Sequence, residues 1–501
     1  MTVRIDGRSL RLDDVVRVAR EGETVEIADE GYASMERSRA VIDDCLRRGD
    51  AVYGVNTGFG KFHDVSIGGA DLDLLQRHLV LSCCVGVGEP FPAEVVRAML
   101  LLKVNALAAG ESGVRPLLAE GLLEMLNRGV HPVVPQKGSV GASGDLAPLA
   151  HLVLVLMGGG EAVFEGEHMG GARALREAGI HPVELRAKEG LALCNGTQAM
   201  TAVAALAVHD AGRLADIADV AGALSAEALQ AVDAAFDERI HRSRPHAGQL
   251  ACARNLRTLL AGSPAVDGAT HDRVQDAYAL RCMPQVHGAS RDAIAYVRGV
   301  VGTEIDSVTD NPLVYSDEGV VLSGGNFHGQ PIALAMDFLG IALAEIGSIS
   351  ERRIERLVNP ALSMGLPAFL TAEGGLNDGL MVAQYTAAAL VSENKVLAHP
   401  ASVDSIPTSS NQEDHVSMGT IAARHAREIL ENVQMVLAVE LLCACQGIDL
   451  RRVAPGPRTG TAYALVRERV AMLHDDRELH GDLARLAELV RSGALLAALA
   501  D

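Results

Sequence analysis

The 501-residue chain contains no tryptophan, and aromatic residues make up only 3% of it. Its core must therefore be built from Ala, Leu, Val and Ile. That suits closely packed helices better than a β-sandwich, whose strands favour aromatic and β-branched residues. Positive charge is also in short supply: 44 Lys and Arg face 64 Asp and Glu, a formal net charge of −20. Nucleic acid and anionic membrane both call for clustered Lys and Arg, so neither is expected as a partner. The eight cysteines (Cys45, Cys83, Cys84, Cys194, Cys252, Cys282, Cys443 and Cys445) form no CxxC pair and no secreted-domain spacing. Free thiols are expected. HExxH, GxxxxGK[ST] and a strand–GxGxxG–helix are missing, which leaves zinc-hydrolase, P-loop and dinucleotide readings without support. No metal is expected. There is no N-terminal stretch with a basic start, an apolar run and a small-residue cleavage site, and charge or glycine breaks each apolar run. A cytoplasmic location is the expectation.

Hydrophobic residues, at 49%, and a mean hydropathy of +0.18 allow a substantial core. In the first thirty residues, Val3 and Ile5 alternate before Asp6-Gly7, and Val25 and Ile27 alternate again, which predicts a small hairpin-like element. Helical periodicity takes over from about Met35. The stretch from Ala93 to Ala109 opens after Phe91-Pro92 and stops at Gly110, as helices do. The segment between Gly129 and Gly144 is a loop by its Gly, Pro and Ser content. Short hairpins are expected at Val163-Phe164 and between Val314 and Leu322 around Gly319. Three long helices follow. The first runs from after Pro331 to before Pro360, with Leu334, Phe338, Ala342, Ile346 and Ile349 on one face. The others run from about Leu376 to Ala398 and from Asp414 to about Gln446. The expectation is a mainly α protein, an elongated bundle of long antiparallel helices with a small mixed N-terminal region. It divides into 1–195, carrying Tyr53 and the Gly/Ser loop, and 196–501, the long-helix bundle with the C-terminal helices. Ala-rich helix faces point to self-association.

GSVGASGDLAPLAH, from Gly138 to His151, is the most informative stretch. Gly144 has no Cβ, so its amide nitrogen can bend towards the carbonyl of Ala142, which is itself small and open. Ring closure with loss of water, followed by loss of the Ser143 hydroxyl, would leave an exocyclic methylidene, an electrophile in a protein otherwise limited to nucleophiles. A bare Ala-Ser-Gly is more often a loop feeding a helix, with Asp145 placed well against the helix dipole. A hydrolase elbow is ruled out because position 145, two after Ser143, is Asp where GxSxG needs Gly.

GSVGASGDLAPLAH resembles the signature of the aromatic amino acid ammonia-lyases. So do AVYGVNTGFGKF at 51–62, KEGLALCNGTQAM at 188–200, VQDAYALRCMPQVHGA at 274–289, TDNPLV at 309–314, SGGNFHGQP at 323–331 and SSNQEDHVSMGTIAARHA at 409–426. GKF, NQEDHVSMGT and HPASVDSIP are most similar to bacterial histidine ammonia-lyases. The resemblance implies a fumarase/aspartase-like fold. It also implies 4-methylideneimidazol-5-one (MIO), formed autocatalytically from Ala142-Ser143-Gly144 with no external cofactor, and a homotetramer whose sites are shared between subunits.

The resemblance assigns roles that ammonia elimination demands. MIO takes up the amine, and Tyr53 removes the β-proton. A free phenol ionises near pH 10, and bringing it down by about three pH units would take about 4 kcal/mol. Arg281 would hold the substrate carboxylate with its planar fork. Asn195, Gln275 and Tyr278 would hydrogen-bond the ring or its oxygen, stabilising negative charge there. Phe327 would pack on the substrate ring, and Glu413 would sit near its amine or side chain. The other readings are a half-buried Tyr53, an ion-paired Arg281, a turn at Asn195, core packing for Phe327 and helix capping ahead of Val416 for Glu413.

One position departs from the family's pattern. Histidine-selective and tyrosine-selective members carry His where LVLSCCVGVGEP has Cys83, followed here by Cys84. A neutral thiol is a small hydrophobe with a weak donor. Leaving a polar substrate group unpaired costs about 1–3 kcal/mol, so this pocket is expected to favour phenylalanine or another apolar aryl amino acid, giving cinnamate. The alternatives are a histidine ammonia-lyase giving urocanate, an aromatic 2,3-aminomutase on the same scaffold, and a non-catalytic helical assembly protein.

Overall fold

The computed structural model describes residues 2–267 and 274–500. The chain is mostly helical, with four small sheets of two or three strands among the described residues. It forms two compact units that are not consecutive stretches of sequence. The first contains the chain up to His209 together with Arg298–Asp337 and Pro400–Arg424. The second contains Asp210–Val297, Phe338–His399 and the chain from His425 onward. A division at residue 195 does not describe this arrangement. The helices Gln198–Ala228, Gln330–Val358 and Gly419–Arg451 each give residues to both units.

In the first unit, Thr2–Ile5 pairs with Thr24–Ile27 in parallel, with Ile5 opposite Ile27. This corrects the expected hairpin. The chain between the strands forms the helix Leu12–Val16 and the π-helical turn Arg17–Glu21, and a helical crossover joins parallel strands where a short turn joins antiparallel ones. The alternation of Val3, Ile5, Val25 and Ile27 fixes which face is buried and says nothing of strand direction. The two later hairpins form as expected: Glu161–Phe164 with Glu167–Gly170, and Leu313–Tyr315 with Val320–Leu322.

The helix Ala93–Ala108 follows Pro92 and stops before Gly110, at φ +77°. It is buried on all sides from Val95 to Ala108 apart from Arg97, and this brings Lys103 into the interior. The 129–144 loop is tied down by backbone pairing, His131–Pro132 against Ala162 and Val163, and Pro135–Lys137 against Val87–Pro90.

The long C-terminal helices are Gln330–Val358, Met381–Leu397 and Gly419–Arg451. The second begins later than expected because Gly375 and Gly379 take φ of +98° and +58° ahead of it. On the first, Leu334 and Phe338 are 51% and 44% exposed, so the face they were expected to bury is open there; Ile332, Met336, Leu339, Leu343 and Ile346 are buried. By length and composition Gln330–Val358 and Gly419–Arg451 could each cross a membrane. However, 67% and 83% of their apolar windows are buried within the protein, as in core helices.

The second unit is held by buried polar networks. Arg353 and Glu440 form a fully buried pair whose carboxylate also accepts from Ser225 and Ser350. Asp219, Cys252 and His287 bring ligand-type atoms within 4.8 Å of one another. Each is already engaged. Asp219 Oδ1 accepts from Cys252 Sγ at 3.0 Å and pairs with His287 Nδ1 at 2.8 Å, while Arg291 Nη2 lies 2.6 Å from Asp219 Oδ2. Arg353 Nη1 stands 3.4 Å from His287 Nε2. With two guanidiniums at the cluster, it reads as a charge network and not as a cation site.

Candidate active site

Tyr53 is set by its neighbours. Val55 is buried with Val41, Ile42, Leu72 and Val314, anchoring the loop. At Gly54, φ is +71° and a Cβ would lie 2.3 Å from Leu191 Cδ2, so only glycine allows the close approach. The phenol is thereby presented to a cavity of about 300 Å³ in the first unit, which Ser143, Asn195, Phe327 and Glu413 also line. Five residues picked out by sequence thus converge, and Phe327 is a cavity wall, not core.

The tripeptide lies in a tightly turned stretch of backbone. Ser143 and Gly144 take φ of +51° and +73°, two successive left-handed residues that turn the backbone back on itself. A Cβ on Gly144 would fall 2.1 Å from Gly196 O, and one on Gly141 would fall 2.2 Å from Ser417 Oγ. Gly196 N donates to Ser143 O at 3.2 Å, and Asp145 N donates to Gly196 O at 2.7 Å. The residues fit the prosthetic group: a strained serine between a small residue and a glycine, clamped on both sides. Asp145 does more than favour a dipole at its own helix. Its buried carboxylate accepts from Met200 N at 2.8 Å, from Ser139 Oγ at 3.2 Å and from Thr420 Oγ1, which fixes the loop to the start of Gln198–Ala228. Burial leaves this carboxyl above its usual range despite those bonds.

Asn195 differs from expectation. Its Nδ2 donates to Asp310 Oδ1 at 3.0 Å and to Asn311 O at 3.3 Å, while its buried Oδ1 has no partner. The amide donors expected to meet the ring are already used.

Glu413 lies six residues ahead of the helix that starts at Gly419, so it is not a first-turn cap. Thr408 Oγ1 donates to it at 3.1 Å. Its charge acts on Tyr53. Burial pushes the phenol above its ordinary value of 10 and Glu413 raises it further, against the Gly60 amide that lowers it. The resting phenol is therefore harder to ionise than a free one, not easier. Removing the carboxylate removes one raising influence, so Glu413→Gln is expected to move the alkaline ascent of kcat to lower pH. A pH–rate profile of the variant checks this, and an ascent that stays in place or moves up contradicts it.

Other candidates lie elsewhere. Cys83 and Cys84 close the helix Leu72–Cys83 but do not line the cavity. Burial raises both thiols, Cys84 to about 11, so they are neutral. Gln275, Tyr278 and Arg281 belong to the second unit and do not line the cavity either. Tyr278 is 71% exposed, with the Arg281 guanidinium 4.6 Å from its ring centroid. Arg281 Nε donates to Asp276 O, and no carboxylate partner for it is found among the described residues. Sequence reasoning missed His63, Asn311, Ser323 and Gln412 in the lining, and Lys103, Lys188 and Asp310 behind it. Lys188 and Asp310 stand in the KEGLALC and TDNPLV stretches, and a charge beside an apolar run was the available signal.

A helical scaffold presents an Ala-Ser-Gly turn, a half-buried phenol and a carboxylate to one cavity, a set that suits a carbon–nitrogen lyase. The chain belongs to the aromatic amino acid lyase family, which it matches over residues 10–468. It is 56% identical over 497 residues to a histidine ammonia-lyase of Alkaliphilus oremlandii, covering 99% of this chain and 98% of that one. Among solved structures, histidine ammonia-lyase from Trypanosoma cruzi superposes with a TM-score of 0.93 at 46% identity, covering 100% of this chain and 95% of that one. Tyrosine aminomutase from Streptomyces globisporus gives 0.95 at 39% identity, covering 100% and 98%. The fold is thus the fumarase/aspartase-like one of these lyases and aminomutases.

Proposed function

We propose that this enzyme eliminates ammonia from L-histidine to give trans-urocanate, and that Ala142-Ser143-Gly144 closes into MIO. The observation that carries this is the meeting of Tyr53, Ser143 and Glu413 at one cavity, in a chain 56% identical to a histidine ammonia-lyase. This replaces the phenylalanine preference argued from Cys83 and Cys84. His63, Gln412 and Glu413 make the lining polar, which suits an imidazole better than a phenyl ring.

The closed ring supplies an electrophilic methylidene that turns the amine into a leaving group. Tyr53 Oη, facing the same cavity, takes the β-proton. Glu413 offers its carboxylate to the imidazole or the amine. Phe327 walls the cavity and keeps water from the reacting carbons. Substrate carboxylate binding falls to Arg281, and a second copy of the chain would bring it with Tyr278 and Gln275. Val274 and Tyr278, 98% and 71% exposed, support that reading, since large exposed side chains in one short segment suit an interface.

Purified protein assayed in parallel with L-histidine, L-phenylalanine and L-tyrosine is expected to release urocanate at least about tenfold faster, by kcat/KM, than either arylacrylate, the discrimination that one unpaired polar group gives. Faster cinnamate release would reverse the substrate reading, and a stable monomer in light scattering would remove the shared site. The likeness to an aminomutase keeps a second reading open. Chiral analysis showing a β-amino acid in place of free ammonia would favour it.

A further inference from the structure

A buried ion pair behind the site fixes which end of the Asn195 carboxamide meets Asp310. Lys188, Asp310 and Asn195 are 0%, 4% and 2% exposed. Lys188 Nζ donates to Asp310 Oδ2 at 2.7 Å. Asp310 Oδ1 accepts from Asn311 N at 2.7 Å and from Asn195 Nδ2 at 3.0 Å. The second contact of the Asn195 nitrogen, Asn311 O at 3.3 Å, is also an acceptor. Burial alone would raise the Asp310 carboxyl, but Lys188 and then Lys103 hold it below the usual carboxylate range, so it is ionised and has no proton to give. Turning the carboxamide over would set its oxygen against a carboxylate oxygen and a carbonyl oxygen. The Asn195 backbone is pinned as well, because Lys103 Nζ donates to Asn195 O at 2.6 Å and to Ala192 O at 2.9 Å.

That leaves Oδ1 as the free end of the Asn195 side chain, in a residue that lines the cavity with Ser143 and Tyr53. It is a buried acceptor with no partner in the protein. Such an atom requires a donor. A substrate carboxylate and a ring carbonyl are both acceptors and do not serve. Ring closure between residues 142 and 144 removes the hydrogens from the nitrogens of Ser143 and Gly144. Two kinds of donor then compete for it: Tyr278 and Gln275 of a second copy, which would serve any ligand alike, and the α-amine, whose N–H groups are the ones an aromatic amino acid brings next to a reacting serine.

We infer that Asp310 and Lys188 are positioning residues that lock Asn195 as an acceptor, and that Asn195 Oδ1 receives an N–H of the substrate's α-amine. This rests on the lyase reading above and specifies how the amine is aimed within it. It reverses the role expected from sequence, in which Asn195 donates to the ring.

The test is the paired variant Lys188→Met/Asp310→Asn, which removes both buried charges together and lets the carboxamide rotate. Asn195→Ala, which leaves the pair intact, is the second variant in case the first fails to fold. Two ligands are compared: L-histidine, and 3-(imidazol-4-yl)propionate, which keeps the ring and carboxylate and lacks the amine. Intact mass must show the loss of two waters, so that prosthetic-group formation is scored apart from turnover. The expected result is a fall in kcat/KM for L-histidine of about tenfold to a hundredfold, the scale of one hydrogen bond to a charged group. The Ki of the propionate should stay within about twofold of wild type, because it makes no such bond. A parallel weakening of both ligands, or of neither, overturns the inference. A wild type that neither turns over L-histidine nor binds the propionate instead refutes the substrate reading. The comparison is then made with the amino acid the assay selects and its 3-arylpropionate.

Discussion

Replacing Ser143 by alanine is expected to cut turnover on the order of a thousandfold or more, about 4 kcal/mol of barrier, and to leave the protein at the mass its sequence dictates. Wild type should be lighter by two waters, one lost in joining residues 142 and 144 and one from the Ser143 side chain. Ser143→Ala adds no volume and removes only a hydroxyl, so melting is expected to change little. Melting temperature and intact mass together separate a lost electrophile from a lost fold. The site has no substitute, since its other side chains are apolar groups, a second hydroxyl at Ser323, bases, acids and amides, and none is an electrophile that activates an amine for departure. A variant that keeps wild-type turnover at the unmodified mass would show that the chemistry starts elsewhere.

Tyr53→Phe should be the other large loss, about 10²- to 10⁴-fold in kcat as for removal of a general base, with three distinguishing features. The two-water deficit should persist, because the phenol is not part of the tripeptide. KM should change little. The alkaline ascent should flatten, because the group that titrates is gone. The sign follows from the wild-type site. Burial and Glu413 hold the phenol protonated above its ordinary range, with the Gly60 amide only partly opposing them. The basic form therefore grows as pH rises, and the phenolate is scarce at neutrality. Stopped-flow or steady-state pH profiles read this directly. A loss of less than tenfold would hand the proton to another lining group, with His63 the first to examine.

Much of the site was legible because its residues sit in local patterns. The Gly138–Gly144 loop advertises left-handed backbone, which Ser143 and Gly144 adopt. Tyr53 and Glu413 stand in long motifs that the structure brings to one cavity. The misreadings share a cause. Period-two alternation at Val3, Ile5, Val25 and Ile27 reports a buried face but not direction, so a parallel crossover looked like a hairpin. A helical stripe at Leu334 and Phe338 reports amphipathicity but not which neighbour covers it. Cys83 and Cys84 were placed at the pocket by motif position, yet a motif position does not say which way the end of a helix points, and neither lines the cavity. Asn195 lines the cavity, but its amide nitrogen is already bound to Asp310. Its orientation is set by Asp310, 115 positions away in the chain, and no local pattern carries that information.

Lys103, buried in the middle of its helix and held by two carbonyl oxygens, has a consequence for tolerance of alkali. Desolvation brings its ammonium down from 10.5 to about 8, against the raising effect of Asp310. Between those two values the unfolded chain binds a proton that the native state has released, so raising the pH through this window favours the native state at this residue. The usual liability of a lysine-bearing interior is thus inverted, and its contribution to folding improves under the basic conditions in which a phenol becomes a competent base.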